Sequence, residues 1–430
     1  MKKTMKKAGM LAAALALTTA IVPSSVVAQE EDTFKIGVVA FLSGPVAGPF
    51  GIPSRNAAEI VIDAINEGTL PAPYDTAGLG GLMIERVIVD ENSKQKNADF
   101  IRLVERGEVD AVVGYASSGS CKSIAPEAEK LETLTIFATC GTPQIFEEIV
   151  TDPQYLFRTS SHATMDNVAA ARYVAETMSD LATMGGINQN YAWGQDSWRD
   201  FSLSIAALSD GVEDAGAQFP KIFAGQYGSE ISALLNAQPS VVHSSFWGGD
   251  LEALIIQGSG RGLFERSQMV LTSADTAIPR LGAQIPDGTI IGARGFHGPY
   301  APDNALANWF KQAYFDRFGV EPVSPAYQMA QSVLAIKAAA DASGSSDPAA
   351  IRDALANLTF ESVSGEVKMA LSNGHQAITP TAYGTYQFDQ ATGKGTMVNV
   401  VTYGAECVNP PEGVGSVEWI EGGFEGAQCE

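Results

Sequence analysis

Three clusters of hydroxyl and glycine residues carry most of the chemistry available to this sequence: Ser43 with Gly44, then Ser117, Ser118, Gly119 and Ser120, then Thr139, Cys140, Gly141 and Thr142. The second cluster is the most informative. A short apolar run (Ala111, Val112, Val113) reads as a buried parallel strand that stops at Gly114, and a helix-like stretch over residues 124–131 follows. A strand, a serine-glycine loop and a helix start together present free backbone N–H groups and hydroxyls. The helix dipole adds partial positive charge, so such a loop suits a small anion such as a carboxylate. A plain βα turn with a serine cap would use the same residues, and the rest of the chain has to decide.

Covalent chemistry finds little support. There is no GxSxG, and the pair Ser117 and Ser118 lacks the preceding glycine of a nucleophile elbow. The run 258–262 (GSGRG) closes a helix rather than opening one, so it is not a phosphate loop. No paired carboxylates at a defined spacing point to a hydrolase. His162, His243, His297 and His375 are scattered and no CxxC occurs, so neither a metal nor a cofactor is expected. The four cysteines are even in number. Cys407 and Cys429 share a Pro/Gly-rich tail and could form one bridge; Cys121 and Cys140 follow successive strands and could form another.

The elements that must position these clusters alternate. Strands are predicted over residues 34–40, 83–89, 109–113 and 134–138, separated by helical patterns such as Ala57, Ile60, Val61, Ala64 and Ile65 on one face. This β-α-β-α order marks a doubly wound parallel sheet, whose ligands sit at the carboxyl ends of the strands. All three hydroxyl clusters fall there. Residues 156–160 read as a crossing, after which the alternation restarts. A helix over 165–178, a loop (Asn190, Tyr191, Ala192, Trp193, Gly194) opening another helix, a strand over 240–245 and a strand over 268–272 make a second α/β unit. Further crossings are expected near 292–300 and 360–367, with final strands over 383–388 and 397–402 and an appended tail from 405.

The first 28 residues have the make-up of a secretory leader: Lys2, Lys3, Lys6 and Lys7, an apolar run over 10–21, and the small residues Val26, Val27 and Ala28 before the cut. Without them, 23 basic residues face 49 acidic ones, which argues against nucleic acid and anionic membranes as partners. About 400 residues remain, enough for two domains with substantial cores.

Laid out in order, the chain resembles the type I periplasmic binding proteins that serve ABC importers of the branched-chain amino acid class (the leucine/isoleucine/valine-binding proteins), over about residues 34–403. Phe41, Leu42, Ser43, Gly44 and Pro45 are similar to that family's PLSG opening, with Phe in place of the first Pro. Asp90 and Glu91 resemble its acidic pair after the second strand, Val112, Val113 and Gly114 its loop before the serines, Tyr191 to Gly194 its Y-x-x-G, and Ala326 and Tyr327 its Ala-rich helix start.

The resemblance implies two lobes joined by three segments, closing on a small molecule for delivery to a permease of the inner membrane, with no catalysis. The lobes are expected to be residues 29–157 with 294–362, and 158–293 with 363–404; residues 405–430 form a stapled tail. It implies a periplasmic monomer. The ligand carboxylate is expected on Ser118, with Ser117 or Ser120 as alternatives, completed by Thr142 and the N–H groups of Cys140 and Gly141. Tyr191, Trp193 and Trp247 are expected to cover the ligand, with Tyr115 beside the serine loop. Relatives that bind amino acids place an acid after the strand at 268–272; here the nearest is Asp275, with Asp250 as another candidate. The expected solute is a small carboxylate, foremost an amino acid. If Asp275 is out of register, an aromatic or aliphatic acid or an amide becomes plausible. A ligand-sensing partner of a membrane receptor is the alternative of another class.

Overall fold

Continuous apolar runs become the central strands, because a strand covered by helices on both faces has no polar side to show. The computed structural model describes Met1 and residues 32–429; the expected leader, Met1 apart, lies outside the described residues. The first sheet contains β1 (Thr33–Ala40), β2 (Met83–Asp90), β3 (Ala111–Gly114), β4 (Leu134–Phe137) and β5 (Leu156–Arg158). Every residue of β3 and β4 is buried. The second sheet takes β6 (Thr183–Ile187), β7 (Glu213–Gln218), β8 (Val241–Ser244), β9 (Gln268–Leu271) and β10 (Ile290–Ala293).

The chain then returns to the first sheet with β11 (Thr359–Ser362), β12 (Gly365–Leu371) and β13 (Gln376–Ile378), and ends in the second with β14 (Thr381–Asp389) and β15 (Lys394–Tyr403). The sheet orders are β11-β12-β13-β5-β4-β3-β1-β2 and β15-β14-β10-β9-β8-β6-β7. Both are parallel at the centre and antiparallel at one end: β12 runs against β11 and β13, and β14 against β10 and β15. The fold is thus two α/β lobes linked by three crossings, as expected, with mixed sheets in place of purely parallel ones.

The third crossing differs from the expectation. Phe360, Val363 and Val367 belong to a hairpin that extends the first sheet and packs into its core. The chain leaves for the second lobe only between β13 and β14, so residues 363–378 belong to lobe one. The helix Ser324–Ser343 is buried on every side along most of its length, as a helix without a polar face must be.

The tail is more than an appendage. Cys407 and Cys429 are bridged, and Val408, Trp419, Ile420 and Phe424 join Met165, Tyr173 and Phe201 in the core of the second lobe. Trp419 meets Phe424 edge-on at 5.2 Å. The bridge closes a loop with a sequence separation of 22. Replacing both cysteines by serine is expected to cost about 3 kcal/mol from loop entropy alone. Urea unfolding followed by tryptophan fluorescence checks this: unchanged midpoints would show that the apolar contacts alone hold the tail.

His243, in β8, is wholly buried and stacked on Phe201 at 4.5 Å between ring centroids. Its Nε2 donates to Asn167 Oδ1 at 2.7 Å, and its Nδ1 faces the Asn188 amide nitrogen at 3.4 Å. Asn188 cannot turn over, because its Oδ1 accepts from the N–H and hydroxyl of Ser245. The imidazole is therefore held neutral, and burial pulls its pKa down to about 3.

Candidate functional site

The loops at the carboxyl ends of the first sheet are fixed by two carboxylates, Asp90 half-buried and Glu91 buried. Asp90, at the end of β2, accepts from the Leu42 N–H at 2.9 Å and the Ser43 hydroxyl at 2.7 Å, which sets the loop leaving β1. A Cβ on Gly51 would fall 1.7 Å from the Phe41 carbonyl oxygen, so only glycine closes that loop. Glu91 reaches further. It accepts from the N–H groups of Ala116 and Ser117 at 2.7 and 2.9 Å. Burial pushes its carboxyl up to about 7 against these two hydrogen bonds.

The serine loop does hold a carboxylate, then, but it is the protein's own. Ser118 Oγ accepts from the Thr142 N–H at 3.2 Å, and Ser120 Oγ takes the Lys96 ammonium at 2.9 Å. Tyr115 has φ 63 and turns into the lobe-one core, edge-on to Phe137 at 5.8 Å.

The next loop is tied to this one by the Cys121–Cys140 disulfide. Arg158 donates through Nη1 to the carbonyls of Cys140 and Thr142 at 3.2 and 2.6 Å. Thr142 reaches across to the second lobe, where its hydroxyl donates to Asp196 Oδ2 at 2.5 Å, and Gln144 donates to Oδ1 of the same carboxylate at 2.8 Å. The Gly249 N–H, donating to the Pro45 carbonyl at 3.1 Å, is a further bond between lobes.

Between the lobes lies an aromatic box. Phe41 and Phe50 of the first lobe meet Trp247 of the second edge-on at 6.0 and 5.1 Å. Trp193 packs against Gly141, so closely that a Cβ there would sit 2.2 Å from the ring, and its Nε1 donates to the Ser245 carbonyl at 2.7 Å. The Arg294 guanidinium lies over the same indole, 4.6 Å from its centroid. Arg294 is 6% exposed in its side chain and ion-paired through Nε to Asp166 at 2.8 Å.

The void left among these groups is about 10 Å³, room for about one water. Phe50, Gly141, Tyr191, Trp193, Trp247 and Arg294 line it, together with Ala116, Thr139 and Ser273. Two buried polar atoms on its walls, the Ser273 hydroxyl and the Trp247 Nε1, have no hydrogen-bond partner among the described residues. Orphaned groups of this kind are destabilising unless something else engages them.

Of the expected residues, the structure brings Gly141, Tyr191, Trp193 and Trp247 to the void. Ser118 and Thr142 stand behind them as a hydrogen-bonded pair. Ser117, Ser120, Tyr115 and Cys140 are engaged within the first lobe. Asp275 is turned away: it faces His297 Nε2 at 3.3 Å and the Ser324 N–H at 3.4 Å, on the wall of a separate groove. Asp250 holds Gln189 and the Phe223 N–H, both at 2.7 Å. Arg294, Ser273 and Phe50 were not expected at the void. The signal for Arg294 was a cation directly after a strand end at a crossing, a placement that by default reads as structural.

Two α/β lobes, three crossings and a polar-aromatic void at their junction define the type I periplasmic-binding architecture. The chain belongs to the periplasmic binding protein family, matching its sequence profile over residues 33–394, a family of binding proteins rather than enzymes. It is 26% identical over 344 residues to the leucine-, isoleucine-, valine-, threonine- and alanine-binding protein of Pseudomonas aeruginosa, covering 78% of this chain and 85% of that one. A solute-binding protein of an ABC transporter from Rhodopseudomonas palustris, solved with 3,4-dihydroxybenzoic acid, superposes with TM-score 0.73 at 18% identity, over 87% of this chain and 98% of that one. The isoleucine-bound branched-chain amino acid transporter substrate-binding protein of Streptococcus pneumoniae gives TM-score 0.71 at 20% identity, over 86% of this chain and all (100%) of that one.

Proposed function

We propose that this chain is an exported, periplasmic receptor that captures a small carboxylate between its lobes and delivers it to an ABC permease. The observation that carries the reading is the Arg294 guanidinium at a lobe-junction void, beside an unpartnered Ser273 hydroxyl and Trp247 N–H, within aromatic walls. A charge-assisted bond to a guanidinium is the strong anchor for a carboxylate, and the aromatic box covers a flat apolar body. A solute enters when the lobes part or when Trp193 swings off Gly141, and it then bridges the lobes in the closed state.

No acidic side chain lines the void among the described residues, so an ammonium finds no counter-ion there. That favours an acid without an amine, and the benzoate-type solute of the Rhodopseudomonas structure is of that class. An amino acid is the second reading, supported by the substrates in the name of the Pseudomonas relative. A thermal-shift panel of benzoate, 4-hydroxybenzoate, L-leucine and L-alanine decides between them. Benzoates are expected to raise the melting temperature in a saturable way, by linkage to the folded state. A shift with leucine alone would establish the second reading, and no shift with any carboxylate would defeat both.

A further inference from the structure

A second cavity, about 360 Å³ in volume, opens where the C-terminal segment passes the first crossing between lobes. Its walls come from lobe one (Phe146, Thr151, Asn373), from the crossing itself (Arg158, His162) and from the tail around Glu412. Arg158 is 1% exposed and has no carboxylate within 4 Å among the described residues. Three of its hydrogen bonds are to neutral oxygens: Nε donates to Gln376 Oε1, and Nη1 to the carbonyls of Cys140 and Thr142. Its Nη2 has no partner among the described residues. Burial draws the guanidinium down to about 9, so it is still charged at neutral pH.

His162 is 3% exposed and lines the same cavity. Its Nδ1 accepts from the Thr164 N–H at 3.2 Å, so in the neutral ring the proton sits on Nε2, which is also unpartnered among the described residues. Burial, and then the charges of Arg158 and Arg294, keep that ring neutral. The carboxylates at the cavity are largely occupied. Glu412 accepts from the N–H groups of Ser372 and Asn373 at 2.7 and 2.8 Å, and Glu147 Oε1 accepts from the N–H and hydroxyl of Ser416.

We propose that this cavity is a second binding site, distinct from the aromatic void, for a small oxyanion of carboxylate or phosphate type, with Arg158 Nη2 and His162 Nε2–H as its donors. A buried guanidinium without a direct ion pair is costly; the Glu147 carboxylate on the same cavity offsets part of that cost, and an anion held there offsets more. Because the walls come from one lobe, the crossing and the tail, an occupant stiffens the hinge. Because Nη1 of the same guanidinium holds the loop of Cys140 and Thr142, the occupant also bears on the loop behind the void.

Calorimetric titration of the full chain with inorganic phosphate and with acetate, at constant ionic strength, tests this. Thr151 is exposed and lines the cavity, so Thr151→Glu adds a like charge without burying one. A saturable response to either anion that weakens by about tenfold or more in Thr151→Glu, with the benzoate response unchanged, supports the site. Phosphate and acetate arms distinguish the two anion types. Absence of any saturable response, or a response that Thr151→Glu leaves intact, overturns it. Arg158→Gln is the companion variant and is expected to abolish the same response.

Discussion

Replacing Arg294 by methionine is expected to abolish the carboxylate response and to lower stability by about 3–5 kcal/mol, the usual result of breaking a buried ion pair from one side. The partner, Asp166, has a side chain 1% exposed, and its Oδ1 already lacks a hydrogen-bond partner among the described residues. Without Arg294, Oδ2 loses its ion pair as well. Burial, with the Asp275 charge behind it, pushes the Asp166 carboxyl upward even with the guanidinium present, so in the variant the group takes up a proton on folding. An acid with a raised folded pKa stabilises at low pH and loses that contribution as pH rises. The deficit in Arg294→Met is therefore smaller at pH 5 than at pH 8. The double variant Arg294→Met with Asp166→Asn removes both charges. It is expected to recover much of the stability and none of the solute response, which separates anchoring from folding. A single variant that still binds benzoate within about tenfold of the wild type would remove Arg294 from the site.

The second large effect is sensitivity to acid. His243 has an ordinary pKa of 6.5 when unfolded and about 3 when folded. A base with a depressed folded pKa contributes stability that is complete above its unfolded value and is lost as pH falls. Between pH 6.5 and about 3 the unfolded chain binds one more proton at this site, so stability declines by about 1.4 kcal/mol per pH unit, about 5 kcal/mol across the window. His162 and His375 are lowered by burial too and act in the same direction, whereas Glu91, raised to about 7, acts in the opposite direction and loses its contribution as pH rises from 4.5. The contribution of His243 is isolated by comparing urea midpoints of wild type and His243→Gln at pH 7.5, 6, 5 and 4. The variant is expected to show the shallower decline. Equal slopes would mean that the ring titrates normally.

Much of the frame was legible because its physics is local. Alternating strands and helices, the βα loops of the first lobe and both disulfides rest on residue types close together in sequence. The elements that escaped notice lack those signatures. In β6, Gly185 and Gly186 stand where apolar side chains would announce a strand, and a Cβ on Gly186 would sit 2.5 Å from the Trp198 ring. In β7, Glu213 and Asp214 guard an exposed sheet edge, which hides the strand from any hydrophobic pattern.

The site was read more coarsely. Tyr191, Trp193 and Trp247, which line the void, sit at strand ends that the sequence pattern marks. The serine loop does not line it, because its N–H groups are satisfied by Glu91, a residue on another strand end. Sequence spacing cannot say which carboxylate reaches a given N–H. The same limit applies to Asp275, whose backbone position is near the expected one while its side chain pairs with His297.

The bonds from Thr142 and Gln144 to Asp196, and from Gly249 to Pro45, join the lobes through protein atoms alone. Part of the energy that holds the lobes together thus comes from contacts that need no solute. In the capture reading proposed above, such bonds bias the equilibrium between open and shut forms before any solute arrives. Apparent affinity then depends on residues that never meet the cargo, since the occupancy of the competent form scales every dissociation constant alike. On that reading, altering Asp196 changes how tightly a solute is held without changing which solute is preferred.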